Sequence, residues 1–205
     1  MERRKKTMVI WSLAILVVLI VVLNLVFRKG NARSQMSTRF ITEVGIAAAL
    51  AIGLWLIKVF EMPNGGSISL EALPILFLAY KRGYKEGVFA GLVAGIIQLI
   101  VTGFKYHPVQ LILDYPLALM CLGLAGLFTS KVKNTKTIIM GTFTGFVLKL
   151  LCHTVSGVVF FAEYAPAGMN VWLYSSGYNV TFIGPEFLVC SILFVYLASK
   201  GILKK

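Results

Sequence analysis

The chain has 205 residues, 58% of them hydrophobic and only 14% charged, with a mean hydropathy of +0.85. Soluble domains carry roughly a quarter charged residues, so this composition excludes an ordinary soluble domain and points to an integral membrane protein. The net charge of +12 does not imply nucleic acid, because Lys and Arg cluster between apolar runs, where they act as topology signals.

The first apolar run covers residues 8–27 and is flanked by ERRKK and RKGNAR. It is longer than the roughly 7–15 apolar residues of a signal peptide, and it predicts an uncleaved spanning helix. Six further runs follow at 41–60, 70–80, 87–103, 109–128, 137–161 and 172–199. Lipid cannot satisfy a free backbone, so each spanning segment must be helical. The run 70–80 contains Pro74 and covers only about half the hydrocarbon core, so it is extended at one end or packed inside the protein. The expected fold class is an all-α integral membrane protein. Residues 36–205 form a six-helix membrane domain, and residues 1–35 carry one extra N-terminal helix of transmembrane length.

Arg28, Lys29, Arg33 and Arg39 precede the six-helix core. Lys81, Arg82 and Lys85 lie in its second connection, Lys131, Lys133 and Lys136 in its fourth, and Lys200, Lys204 and Lys205 in its tail. The opposite connections hold Lys58 and Lys105. The positive-inside rule places both ends of the core in the cytoplasm. A spanning first helix would then put ERRKK outside, against the rule. Its role stays open between an extra span, an upstream extension and a segment lying along the surface.

Ionisable groups within a span are expensive and usually face a cavity or a partner. Asp114 is one, in LILDYPLAL, with Tyr115 beside it and Pro116 within the first two turns expected for its helix. It reads either as a ligand contact or as a structural group, in a helix-helix hydrogen bond or a salt bridge to Lys149. Lys149, His153 and Gly157 recur at i, i+4 and share a helix face, and Gly157 leaves room for something to approach. Phe161, Tyr164, Trp172, Tyr174, Tyr178 and Asn179 make the segment after His153 rich in aromatics and amides. Some are interfacial anchors, while Tyr174 and Asn179 are placed to line a pocket. Aromatic faces beside a carboxylate suit a flat cationic ligand. Glu186 is a second pocket acid or an internal salt-bridge partner. Glu71 opens a short helix, where the dipole favours an acid.

Gly45, Ala49 and Gly53 form a small-residue stripe that serves either an internal contact or an approaching partner helix. Cys121, Cys152 and Cys190 form no C-x-x-C pair and read as buried small hydrophobes, so no disulfide framework or metal site is expected. The chain carries no P-loop, H-E-x-x-H or G-x-S-x-G, so no catalytic residues, cofactor or enzymatic activity are expected. Active transport would draw its energy from a coupled ion or from partner subunits.

The segments MPNGGSISLEALPI, LDYPLALMCLGLAGLF, HTVSGVVFFAEYAPAG and WLYSSGYNVTFIGPE resemble, in order and spacing, the thiamine-specific S component of energy-coupling factor transporters. The resemblance covers about residues 40–199. It implies a six-helix bacterial cell-membrane protein that captures external thiamine. It also implies a transmembrane coupling subunit and two cytoplasmic ATPases as partners. The thiamine-binding residues it implies are Asp114, Tyr115, Lys149, His153, Gly157, Phe161, Tyr174 and Asn179. Phe161 stands where some members have a tryptophan, and it keeps the stacking face without the indole N–H. Gly45, Ala49 and Gly53 match the face that docks on the coupling subunit. An S component for a thiamine precursor or another vitamin, a stand-alone ion-coupled carrier, and an intramembrane enzyme using Asp114, His153 and Glu186 are the competing readings.

Overall fold

Ser37 starts the first core helix, its hydroxyl accepting a hydrogen bond from the Phe40 amide, one of the orphan donors of the first turn. The computed structural model describes residues 37–63, 65–102, 107–129 and 134–203. The apolar run 8–27 with its basic flanks lies outside the described residues, as do Lys105, Lys131, Lys133, Lys204 and Lys205.

Six helices carry the described residues: α1 Thr38–Leu56, α2 Ala72–Lys81, α3 Tyr84–Thr102, α4 Pro108–Leu127, α5 Thr135–Phe160 and α6 Val171–Ser199. All but α2 are long and apolar enough to cross a membrane. The expected all-α, six-helix class is what the chain adopts. The short α2 is packed inside the bundle, with Ala72, Ile75, Leu76 and Ala79 fully buried. Of the two expectations for run 70–80, interior packing is the one found.

Two boundaries differ from the sequence reading. The run 41–60 was expected to be one helix, but α1 stops at Leu56 and the chain forms a small antiparallel hairpin, β1 Phe60–Glu61 with β2 Ser67–Ile68. Gly65 and Gly66 sit at φ 91° and 89°, where side-chain-bearing residues are strained, and they turn the chain back. The apolar Val59 and Phe60 had disguised this turn as helix. The second difference is in α4. Pro116, expected within the first two turns, is the ninth residue of the helix and so falls just past them, and residues Leu113–Leu117 widen into a π-helical turn. Proline lacks an N–H and crowds the carbonyl four residues back, and one wide turn relieves both.

Helix α3 packs on α4 through glycines. A Cβ at Gly91 would overlap the Leu119 carbonyl, one at Gly95 would overlap Pro116, and one at Gly123 would overlap Val88. Close backbone approach of this kind is how helices gain packing energy in lipid. Tyr80, buried at the centre, donates to or accepts from Thr142 at 2.6 Å and contacts Phe194 edge-on. Asn134 and Thr137 form a reciprocal capping box at the start of α5. At the same end of the bundle, Glu43 of α1 accepts from Arg39 at 2.9 Å and from the Arg82 Nε at 2.8 Å. The stripe Gly45, Ala49, Gly53 faces away from the bundle, and nothing lies within 4 Å of a Cβ built at Gly45 or Gly53. It makes no contact with another helix among the described residues.

Candidate functional site: a polar cavity under the hairpin

A cavity of about 350 Å³ lies among α3, α4, α5, α6 and the hairpin. The π turn sets Asp114 on its wall. Asp114 is mostly buried; its Oδ2 accepts from the Gln110 amide at 3.0 Å and from the Ser156 hydroxyl at 2.9 Å. The His153 Nδ1 faces Oδ1 at 3.2 Å. No donor among the described residues hydrogen-bonds to Oδ1. A carboxylate offers about four acceptor positions, so this one retains capacity on the cavity side.

All eight residues expected at the site line this one cavity: Asp114, Tyr115, Lys149, His153, Gly157, Phe161, Tyr174 and Asn179. Their local roles differ from the sequence reading in two respects. Gly157 makes room for α6 itself, since a Cβ there would overlap the Ser175 hydroxyl. That hydroxyl donates to the Thr154 carbonyl at 2.9 Å and joins the two helices. Of the two structural alternatives for Asp114, the salt bridge to Lys149 is not formed, while the helix-helix hydrogen bond is, from Ser156 of α5. The Lys149 ammonium donates to Glu71 at 3.0 Å and to Glu186 at 2.8 Å, and its side chain is 4% exposed. Glu71 stands at the N-cap of α2 without a side-chain capping bond, and its carboxylate is turned to partners on other helices. Its second oxygen accepts from Gln98, and Glu186 accepts from the Ala72 amide at 3.3 Å. Glu186 is the internal salt-bridge partner of its two readings. Two carboxylates around one ammonium leave a formal excess of one negative charge beneath the cavity, and each group is hydrogen-bonded, as buried charges require.

The opposite wall is aromatic. Tyr174, Tyr178 and Phe182 recur every four residues on α6, with successive ring centroids 6.1 and 6.3 Å apart. Phe182 also meets His153 edge-on at 5.9 Å. Asn179 points its Nδ2 back to the Ser175 carbonyl at 2.8 Å. The hairpin covers this wall. Tyr178 donates to the Gly65 carbonyl at 2.9 Å, and Gly66 lies so close to the Phe182 ring that a Cβ would stand 2.7 Å from it. Lys58 and Glu61 pair at 2.6 Å at the mouth. Trp55 lines the cavity, whereas Trp172 is 46% exposed and does not.

Residues 41–204 match the family model described as Thiamine transporter protein (Thia_YuaJ). The chain belongs to the thiamine transporter family. Relatives in the family include the thiamine transporter ThiT of Bacillus subtilis, 36% identical over 178 residues, covering 80% of this chain and 92% of the relative. A second is the thiamine transporter ThiT of Lacticaseibacillus paracasei, 37% identical over 149 residues, covering 66% of this chain and 74% of the relative. The solved structure of ThiT from Listeria monocytogenes superposes with a TM-score of 0.69 at 28% identity, covering 78% of this chain and 93% of that one. Membership in this family makes the chain a multi-pass membrane transport protein and not an enzyme, as the sequence led us to expect.

Sequence reasoning missed Gln110, Ser156, Gln98 and Trp55. Ser156 stands three residues after His153, a helical neighbour spacing that could have flagged it. Gln98 and Glu71 lie 27 residues apart, and no local pattern joins them.

Proposed function

We propose that the chain is the thiamine-binding subunit of an energy-coupling factor transporter, capturing thiamine from outside the cell. The observation that carries this reading is Asp114, a mostly buried carboxylate on the cavity wall, with a wall of three aromatic rings opposite it. Thiamine offers a thiazolium cation to the carboxylate and the ring faces, and an aminopyrimidine to the amides and the ammonium. The site residues in this role are Asp114, Tyr115, Lys149, His153, Gly157, Phe161, Tyr174 and Asn179. Residues 36–205 are the vitamin-binding domain, with residues 1–35 as a separate N-terminal segment. Both core termini lie in the cytoplasm, so the cavity mouth with its hairpin faces outward.

The chain has no nucleotide-binding motif. Its energy therefore comes from a transmembrane coupling subunit and two ATPases, which it meets through the outward stripe Gly45, Ala49, Gly53. Replacing Asp114 with Asn removes the charge and should weaken thiamine binding at least about tenfold, or about 1.4 kcal/mol. Calorimetric titration of the purified protein checks this. Unchanged affinity in a folded variant would take Asp114 out of the site. Titration with a thiamine precursor or another vitamin distinguishes a sister substrate, and recovery of unaltered thiamine distinguishes binding from turnover.

A further inference from the structure

The floor of the cavity carries a side chain with an unused acceptor. Gln98 of α3 is only 2% exposed and lines the cavity. Its Nε2 donates to Glu71, whose other oxygen accepts from Lys149. That pairing fixes the amide, because turning it over would set its oxygen against a carboxylate oxygen. The Gln98 Oε1 then has no hydrogen-bond partner among the described residues, and the side chain lines the cavity, where a ligand can reach that oxygen. Beside it, Lys149 uses two of its three ammonium protons on Glu71 and Glu186. The floor thus sets an open acceptor next to a donor, in a position shielded from bulk water.

We propose that Gln98 is a specificity-determining residue, its Oε1 accepting a hydrogen bond from the exocyclic amine of an aminopyrimidine ring. The inference rests on the thiamine reading and adds the orientation of the ligand. An aminopyrimidine carries an N–H donor next to a ring-nitrogen acceptor, the complement of the Gln98 oxygen and the Lys149 ammonium. A neutral ring also belongs beside Lys149, while the cationic ring belongs against Asp114 and the tyrosines. The hydroxyethyl group, at the far end of the ligand, then lies toward the mouth near Lys58 and Glu61. The Glu71–Lys149–Glu186 cluster acts through Gln98 by holding its amide in one orientation.

The test compares thiamine with an analogue whose exocyclic amine is replaced by oxygen, using purified full-length protein. A site built to hydrogen-bond a donor rejects the ligand that lacks it. Wild type should prefer thiamine by at least about tenfold. Gln98→Leu should lower thiamine affinity by a similar factor and leave the analogue within about threefold, so that the preference disappears. Gln98→Met, closer to the native shape, should do the same and guards against misfolding of the leucine variant. A preference that survives in the methionine variant overturns the proposal, as does an equal fall for both ligands, which marks a packing role. Modifying the hydroxyethyl end as a phosphate ester should change affinity by the same factor in wild type and variants. A Gln98-dependent change there would reverse the orientation and also overturn it. Failure of wild type to bind thiamine at all would instead bring down the functional reading.

Discussion

Two helices of this protein carry the same small-residue pattern and use it in opposite ways. On α3, Gly87, Gly91 and Gly95 recur every four residues, and each is closed by backbone or Cβ atoms of a neighbouring segment. On α1, Gly45, Ala49 and Gly53 recur with the same spacing, yet they are exposed, with no atom of the described residues within 4 Å of a Cβ at either glycine. The pattern states that something can approach, and only the tertiary arrangement says whether it has already done so. In lipid, where burial of apolar surface between helices gains little, a filled seam supplies stability and an unfilled one is available for association.

Breaking the filled seam should have the largest effect. Gly91→Leu drives a side chain into the Leu119 carbonyl, and backbone cannot yield as a flexible side chain can. We expect a loss of at least about 3 kcal/mol, read as a large fall in thermal midpoint in detergent and loss of a monodisperse peak on size exclusion. Bulk on the open stripe should act differently. Ala49→Trp should leave thermal stability and thiamine affinity within about twofold of wild type. Uptake by cells making the complete transporter should fall at least about fivefold, because docking is obstructed. Normal uptake would show the stripe to be a plain lipid-facing surface. The smallest effect belongs to Gly45→Ala. The added methyl meets no atom of the described residues within 4 Å, and the helix gains up to about 1 kcal/mol from the better propensity of alanine. A measured loss of stability there would contradict the openness of the stripe and weaken the contrast between the two helices.

The same distinction separates what was legible in the sequence from what was not. Five apolar runs of spanning length and one short run located the six core helices, because hydropathy in lipid is a local property. The helical spacing of Lys149, His153 and Gly157 was equally local, and it does put the three on one side of α5. What each residue of that face meets was not local. Lys149 meets Glu71 and Glu186, 78 and 37 residues away in sequence, rather than Asp114. Gly157 meets Ser175 of α6. Glu71 looked like a first-turn acid answering a helix dipole because its partners lie on other helices. The hairpin escaped notice because its first strand is too short for an alternating pattern and sits at the end of an apolar run. Pro63, Gly65 and Gly66 were the available signal, a proline and paired glycines bounding a turn.

The wide turn at Leu113–Leu117 has a consequence for the phase of α4. An α-helix advances about 100° per residue, and a π turn spends one extra residue on a single revolution. The two halves of α4 are therefore rotated about 100° out of the register that a uniform helix would give them. The inner half holds Leu119 and Gly123 against the glycines of α3, where the fit tolerates no rotation. The outer half, freed from that register, turns Gln110 and Asp114 toward Ser156 and His153. One proline lets a single helix satisfy two neighbours whose demands on its azimuth conflict.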